Sequence, residues 1–279
     1  MSVATLRFEP PRLQRGDGAL DLGFDHAHGR SALTHLYQRN PCRALFPRVL
    51  PEDAGPTAVL LVTSGGLTGG DRLKVGVRVG ARAEALVTSQ AAEKIYRSLG
   101  DDVCIDIALE VGGDGTLEFL PQETILFNEA RLVRRTRADL AASARLLAAE
   151  MTVFGRIARG EVLKRGLWHE GWEVRVAGKL RWWDAQRLSG DIERGMAAPA
   201  GFAAARAVAT ILYVAEDAAT FLPLAREVAD GASLVNGVLI LRYLGEDAMA
   251  VRADLMRALC LLRRAALKRP ASLPAVWAM

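Results

Sequence analysis

A glycine-rich segment in the first third of the chain carries residue types that could cradle a phosphate group. Its sequence is Gly65-Gly66-Leu67-Thr68-Gly69-Gly70-Asp71. A P-loop requires Gly-Lys-Ser/Thr at the start of a helix, because the amide groups of the helix N-terminus bind the anion. Here Asp71 and Arg72 lead instead into an alternating strand pattern. The segment therefore does not predict a nucleotide site.

A second glycine-rich string, Gly112–Thr116, is similar to the Gly-Gly-Asp-Gly-Thr signature of NAD kinases and diacylglycerol kinases. In those families the string lies between a buried parallel strand and a helix. The strand pattern before Gly112 alternates, and the placement of Pro121 prevents a helix from starting after Thr116. We therefore interpret the string as a hairpin turn, in which the glycines and Asp114 adopt turn conformations. A nucleotide kinase that uses Gly112–Thr116 is the alternative from another functional class.

Histidine and cysteine, the usual ligands of transition metals, are sparse. His26 and His28 could place two imidazoles on one face of a strand, with His35 and Cys42 near in sequence. A metal site needs three or four ligands with supporting hydrogen bonds, so a solvated or core histidine is the simpler interpretation. The three cysteines are widely spaced, which predicts no disulfide framework and favours a reducing cytoplasm. Without a nucleophile elbow or a Cys-x-x-Cys motif, the sequence predicts no enzyme and no tightly bound cofactor.

The composition is that of a folded protein without a membrane span. Of the 279 residues, 51% are hydrophobic and 24% are charged, which excludes global disorder. No apolar run approaches the ~18 residues that a membrane span needs. The net charge is +4, and the arginines are spread among acidic residues, which argues against nucleic-acid binding. We expect a single domain that covers residues 1–279.

Alternating hydrophobic residues predict strands over the first two-thirds of the chain. Residues 73–79 and 103–109 alternate apolar and polar side chains, which places one face on a core and the other in solvent. Asn236-Gly237 is the strongest hairpin signal, because both central residues of a type I′ turn need positive φ. Residues 140–154 fit either a helix or a buried strand.

Helices are predicted only late in the chain. Glu216–Asp230 is one candidate, and Glu246–Arg269 is the clearest, because apolar residues recur at helical spacing until Pro270. The predicted fold is mainly β: stacked layers of short strands, like a β-sandwich or a β-helix, with about two helices, the longer one C-terminal.

Several polar clusters occur in strand contexts, where they are either solvated faces or a functional surface. The motifs concerned are Gly65–Asp71, Ala91–Ser98, Leu117–Phe127, Gly155–Glu161 and Leu239–Gly245. Their order and spacing resemble the UreD (UreH) family of urease accessory proteins from about Arg30 to Trp277. Each motif alone is weak, but the ordered set is specific. Two departures are Ser64, where the family usually has proline, and Glu93, where a smaller or hydroxyl residue is expected.

The resemblance implies a mainly β chaperone that assists urease maturation. Proteins of this family bind a helical accessory protein (UreF), which recruits a nickel-carrying GTPase (UreG). The assembly docks on the urease apoprotein and helps to load its dinuclear nickel centre, and a polar tunnel for the metal has been proposed for the family. The motif or interface residues that the resemblance implies are Gly69, Gly70, Lys94, Tyr96, Arg97, Gln122, Arg156 and Arg159.

The chemistry of nickel favours a path built from oxygen ligands. Nickel binds nitrogen and sulfur strongly, so a storage site would use His and Cys, whereas a path must hold the ion weakly and release it. We hypothesise that nickel passes transiently along a hydrated path lined by some of the acidic residues Asp71, Glu123, Glu150 and Glu161. Replacing Asp71 or Glu161 by Ala is then expected to lower urease activation while the fold and partner binding remain intact.

The alternative is a pure scaffold that joins the helical partner to urease without conducting metal. Its candidate contact is the arginine-rich helix over Val251–Arg269, although the apolar stripe of that helix is expected to pack on the β body. A conduit predicts a water-accessible channel lined by carboxylates. A scaffold predicts a solid core with a large exposed apolar patch.

Overall fold

The computed structural model describes residues 14–48 and 55–278, and most of them lie in two facing β-sheets. The predicted domain also includes residues 1–13, 49–54 and 279, which lie outside the described residues. The seven strands of sheet A are β1 (Asp17–Ala27), β2 (Arg30–Arg39), β5 (Arg72–Val79), β8 (Val103–Val111), β11 (Arg131–Leu140), β13 (Arg165–Val176) and β14 (Lys179–Asp191). The ten strands of sheet B are β3 (Cys42–Leu45), β4 (Thr57–Val62), β6 (Glu84–Ser89), β7 (Glu93–Ile95), β9 (Thr116–Leu120), β10 (Thr124–Leu126), β12 (Arg145–Phe154), β15 (Ala207–Val214), β16 (Ser233–Val235) and β17 (Val238–Gly245).

The middle of the chain forms a β-solenoid, because consecutive strands alternate between the sheets and stack in parallel. In sheet A the parallel strands are β1, β5, β8, β11 and β13. In sheet B they are β4, β6, β9 and β12, and the short strands β10 and β7 also pair in parallel beside β12. Antiparallel strands complete each sheet on the outside. The prediction of stacked layers of short strands is therefore confirmed.

The Gly112–Thr116 string is a turn, as the sequence predicts, but it is not a hairpin. It connects β8 in sheet A to β9 in sheet B, and Asp114 has φ +56°. Its two flanking strands pair with other strands rather than with each other, because each coil of the solenoid must cross from one sheet to the other at a corner. The kinase signature is followed by a helix, whereas this string is followed by the strand β9.

The alternating patterns form the core as expected. Leu73, Val77 and Val79 on β5 are buried between the sheets, while Lys74 and Arg78 face solvent. Residues 145–154, which fit either a helix or a buried strand, form β12. This strand is buried on both faces, because a second hydrophobic core lies on the outer side of sheet B.

That second core is covered by the C-terminal helix. The helices are α1 (Ile192–Met196), α2 (Leu222–Arg226) and α3 (Ala248–Ala265), with short 3-10 turns at Ile157–Arg159, Ala218–Phe221 and Ala275–Ala278. The apolar stripe of α3 packs against β15 and β17, as predicted, and Asp247 caps the helix by accepting a hydrogen bond from Met249 N at 2.8 Å. No helix of the described part of the chain has both the length and the apolar character that a membrane crossing requires.

Two local predictions have different outcomes. The Asn236-Gly237 hairpin is confirmed, because β16 and β17 pair across it and its φ angles are +49° and +84°. The long helix predicted over Glu216–Asp230 is wrong. The segment contains only a 3-10 turn and the five residues of α2, because Pro223 lacks an amide donor and its ring conflicts with a carbonyl one turn earlier.

Candidate functional site

Polar side chains enter the apolar interior between the sheets at β11, β13 and β14. One inward row of sheet A starts with Leu73 and Ile105 and continues in register with Arg134, Glu170 and Gln186. The next row ends in Thr136, Trp172 and Asp184. Facing them on sheet B, one row holds Glu93, Thr124 and Thr152, and another holds Glu150, Thr210 and Arg242. We call the twelve residues of these rows other than Leu73 and Ile105 the polar band. Its members are Glu93, Thr124, Arg134, Thr136, Glu150, Thr152, Glu170, Trp172, Asp184, Gln186, Thr210 and Arg242.

A buried ion pair lies at the centre of the polar band. Arg134 donates two parallel hydrogen bonds to Glu170, from Nε to Oε1 at 2.5 Å and from Nη2 to Oε2 at 2.8 Å. The two side chains are only 11% and 4% exposed. Arg134 Nη1 also donates to Thr124 Oγ1 at 2.8 Å, and Thr152 Oγ1 donates to Glu170 Oε2 at 3.3 Å. These bonds link the two sheets through a charged pair that is shielded from solvent.

Two further carboxyl groups of the polar band lack an arginine partner of their own. Trp172 Nε1 donates to Glu150 Oε2 at 2.6 Å. Burial, followed by the nearby charge of Glu170, raises the pKa of Glu150 to about 8. Burial also raises the pKa of Glu93 to about 7. Near neutral pH the polar band therefore contains carboxyl groups that bind and release protons.

The polar band reaches the edge of the sandwich at a second ion pair. Arg242 on β17 donates from Nη2 to Asp184 Oδ2 on β14 at 2.7 Å, so this pair also joins the two sheets. Gln186 Nε2 donates to the same oxygen at 3.2 Å. Arg242 and Asp184 are 35% and 24% exposed, so this end of the band contacts solvent.

At the other end, the polar band borders a cavity of about 250 Å³ between the sheets. Glu93, Thr124 and Arg134 line it together with apolar side chains, and the Gly65-Gly66 turn and Lys94 lie at its margin. Cys42 also lines the cavity, and burial raises the pKa of its thiol to about 11. A neutral thiol is a poor metal ligand, which leaves the oxygen atoms of Glu93 and Thr124 as candidate ligands in the cavity.

The structure does not bring together the four acidic residues that the sequence suggests for a nickel path. Glu150 alone belongs to the polar band. Asp71 is buried in a loop, where Oδ1 accepts from Gly16 N at 2.7 Å and Oδ2 from Thr68 N at 2.8 Å. Glu161 accepts from Arg156, which holds the pKa of Glu161 below its usual range. Glu123 lies on the outer side of sheet B, with its Oε2 3.3 Å from Arg252 Nε on α3.

Gln122 is separated from the other predicted interface residues as well. Its Oε1 accepts from Arg252 Nη2 at 3.0 Å, and its Nε2 donates to Val276 O at 2.5 Å. Trp277 is buried beside it, and its Nε1 donates to Thr88 Oγ1 at 3.1 Å. Gln122 therefore fastens the C-terminal segment to the outer side of sheet B.

The remaining predicted interface residues converge on one surface. Tyr96 and Arg97 follow β7, and Arg156 and Arg159 belong to the turn after β12. Tyr96, Arg97 and Arg156 line the same shallow pocket of about 430 Å³. The loop of Gly69 and Gly70 lies next to the pocket, because Thr68 Oγ1 in that loop donates to Arg97 O at 2.9 Å. Three motifs that are distant in sequence thus form one surface feature.

Sequence reasoning missed most of the polar band. Arg134, Glu170, Asp184 and Arg242 are not among its candidate residues. A signal was present for Glu170, a charged residue at an inward position between the buried Trp168 and Trp172. Arg242 instead follows the continuous apolar run of β17, so no alternating pattern marks it. A charge at such a position needs a partner across the core, and single-strand patterns do not identify that partner.

Metal ligation by conventional clusters is not supported by the geometry. Within residues 14–48 and 55–278, no group of three or more His, Cys, Asp or Glu side chains is arranged to hold a metal ion. His26 is partly buried and His28 is exposed in the turn after β1.

Comparison with known proteins identifies the family of the chain. The family described as UreD urease accessory protein matches residues 16–278. The chain belongs to the UreD family. A urease accessory protein UreD of Magnetococcus marinus is 41% identical over 287 residues, which cover 99% of each chain. The UreD of Rhodopseudomonas palustris is 41% identical over 94% of this chain and 93% of the relative, and that of Azorhizobium caulinodans is 39% identical over 96% and 98%.

Membership of the UreD family gives the chain a role in urease maturation, and the resemblance found in the motifs is confirmed. The relatives are named accessory proteins, which describes assistance to an enzyme rather than catalysis.

Proposed function

We propose that this chain is a cytoplasmic, non-catalytic chaperone that helps to load nickel into apo-urease. In the proposal it binds a UreF-type helical protein, which recruits a UreG-type nickel GTPase, and the assembly docks on the urease apoprotein. Membership of the UreD family supports this assignment. Nickel is the cargo of the assembly and does not remain bound to the chain.

The proposed route of nickel is the polar band, from the cavity beside Glu93 to the edge at Asp184. The observation that carries this proposal is the placement of Glu93, Glu150, Glu170 and Asp184 in one continuous interior region that spans both sheets. Buried acidic side chains are costly, and an ordinary core would replace them by apolar residues. A cation that passes between the sheets offers a functional reason for their presence.

The residues of the polar band suit weak and reversible contact with a cation. Arg134 and Arg242 already neutralise Glu170 and Asp184, which reduces the attraction between these carboxylates and a second cation. Glu150 and Glu93 hold protons near neutral pH, so a cation has to compete with a proton at each of them. Oxygen groups alone bind nickel more weakly than nitrogen and sulfur ligands do.

The experiment that tests the proposed function is reconstitution of urease maturation. Urease is co-expressed with its other accessory proteins, with and without this chain, and nickel is measured in the purified urease. We expect nickel only when the chain is present, and we expect the chain to co-purify with the helical partner and urease. Equal nickel content in both preparations would refute the proposal.

The scaffold alternative retains one supporting observation. Leu99 is 81% exposed and Tyr96 is 36% exposed on the surface where the motifs converge. Contact with a partner would cover both side chains. The apolar stripe of α3 is buried against sheet B, as the sequence predicts, so it is not available to a partner. A pure scaffold predicts full nickel loading when the acidic residues of the polar band are replaced by amides.

A further inference from the structure

The strand β14 (Lys179–Asp191) is an edge of sheet A. Among the described strands it pairs only with β13. An edge strand carries backbone amide and carbonyl groups that point away from the sheet, and these groups can pair with a further strand. Proline residues and bulges commonly protect such an edge. Since β14 contains no proline and pairs regularly with β13 from Trp182 to Asp191, this part of the edge is open.

One end of the edge is contacted by sheet B, and the rest carries an exposed aromatic side chain. In the β16–β17 hairpin, Asn236 Nδ2 donates to Arg181 O at 3.1 Å. Beyond this contact, Trp183 is 66% exposed on the outer face of sheet A. Aromatic side chains are enriched in protein interfaces, so an exposed indole ring beside an open edge favours a partner that covers both.

The alternation of side chains restricts how a second copy of β14 could pair with the first. Trp183, Ala185 and Arg187 lie on the outer face of sheet A. Asp184 and Gln186 lie on the inner face. In an antiparallel pair, side chains that are opposite each other share a face. A two-fold axis must therefore pass through a residue, because an axis between two residues places outer side chains opposite inner ones.

An axis through Ala185 gives complementary pairs on both faces. On the outer face, Trp183 lies opposite the exposed Arg187 of the second copy, whose guanidinium group can stack on the indole ring. On the inner face, Asp184 lies opposite Gln186 of the second copy. Gln186 Nε2 donates to Asp184 Oδ2 of its own chain at 3.2 Å, and the second N–H of this amide can donate to the Asp184 of the other copy.

The neighbouring registers are less favourable. An axis at Asp184 places two carboxylates opposite each other, and an axis at Arg187 does the same with two guanidinium groups. An axis at Gln186 places Asp184 opposite the apolar Leu188. Of these four axes, only the one at Ala185 gives each charged side chain in the middle of β14 a complementary partner.

We propose that two copies of this chain form a symmetric dimer in which their β14 strands pair in antiparallel register about Ala185. Both copies use the same surface, as in most homodimers. Asp184 and Gln186 belong to the polar band, so the second copy completes the solvent-exposed end of each band. Pairing along one edge buries a limited area, and we expect micromolar affinity. The dimer goes beyond the proposed function, because it does not depend on nickel transport.

Sedimentation equilibrium of the purified full chain tests the dimer. We expect the wild-type mass to rise from one chain towards two as the concentration approaches about 100 µM. Ala185→Lys places two like charges on the axis and is expected to raise the dissociation constant at least about fivefold. Ala253→Lys, at an exposed position of α3, is the matched control and keeps the wild-type constant. A wild-type chain that stays monomeric would leave β14 to a strand of another protein and would overturn the proposal, as would wild-type association of Ala185→Lys.

An exchange of side chains tests the register. Trp183→Lys faces Arg187 of the second copy and is expected to weaken the dimer about 30-fold, because the pair occurs twice in the dimer. Arg187→Glu is also expected to weaken it. Trp183→Lys combined with Arg187→Glu creates two pairs of opposite charge and is expected to regain at least about fivefold over Trp183→Lys alone. Absence of this recovery would contradict the register.

Crosslinking separates the dimer from unspecific aggregation. In Ala185→Cys the thiols of two copies lie opposite each other, with Cβ atoms about 5 Å apart. In Ser189→Cys, which is also exposed on β14, the two thiols lie about 27 Å apart. We expect a short bismaleimide to link Ala185→Cys into dimers above the background of the wild-type chain, and not to link Ser189→Cys. Equal crosslinking of the two variants would overturn the proposal.

Discussion

Replacing Glu150 by Gln is expected to change how the stability of the protein depends on pH. The unfolded chain ionises this residue near its ordinary pKa of 4.5, whereas burial raises the pKa of Glu150 in the folded chain to about 8. Between these values the folded state binds more protons than the unfolded state, so the free energy of unfolding falls as pH rises. The stabilisation is complete below about pH 4.5 and is lost as pH rises through about 8. With about 1.4 kcal/mol per pH unit, Glu150 alone lowers the free energy of unfolding by about 4 kcal/mol between pH 5 and 8.

Glutamine at position 150 removes this titration and keeps the main contact, because its Oε1 atom can still accept from Trp172 Nε1. The assay is urea unfolding at several pH values between about 5 and 8. We expect Glu150→Gln to unfold with a flatter pH profile and, since it matches the protonated wild type at pH 5, to exceed the wild type in free energy of unfolding by about 4 kcal/mol at pH 8. Glu93 titrates in the same direction in both proteins, so its contribution cancels. The exposed Glu216→Gln is the control. A slope in Glu150→Gln equal to that of the wild type would refute the argument.

Three other substitutions test the contacts that hold the site. Arg134→Leu leaves Glu170 buried without its counter-charge and is expected to cost about 3–5 kcal/mol in urea unfolding, whereas Arg134→Leu combined with Glu170→Leu is expected to recover most of that loss. Gly66→Ala places a methyl group against the Tyr96 ring, whereas a Cβ atom at Gly65 would have no neighbouring atom within 4 Å. Gly66→Ala is therefore expected to lower the melting temperature more than Gly65→Ala does. Equal losses would contradict that contact. Trp277→Ala empties a fully buried site and is expected to cost about 3–5 kcal/mol, and a loss below about 1 kcal/mol would show that the C-terminal segment is not packed as described.

The fold was predictable where local patterns determine it. The alternation on β5 and β8 predicted which side chains enter the core, and Asn236-Gly237 predicted a hairpin from backbone preference alone. The solenoid path was harder to predict, because the Gly112–Thr116 turn looks the same whether it joins neighbouring strands or crosses between sheets. The choice depends on which strands pair, and pairing is a property of the whole core.

The candidate site was predictable only in part, for a related reason. Motif resemblance selected Tyr96, Arg97 and Arg156, and the structure brings these three together. Resemblance does not show which acidic residues face the interior. Asp71 accepts hydrogen bonds from backbone amides of its loop, whereas Glu150 lies in the interior between the sheets. That distinction depends on contacts between strands that are distant in sequence.

The most direct test of the central claim is the nickel content of urease matured with a chain whose polar band has lost its titrating acids. Glu93→Gln combined with Glu150→Gln keeps the size of both side chains and removes their titration. If nickel passes along the polar band, urease nickel falls by about tenfold relative to wild type at equal co-purification of the partners, while Glu216→Gln keeps wild-type loading. Wild-type nickel content with the doubly substituted chain would contradict the account.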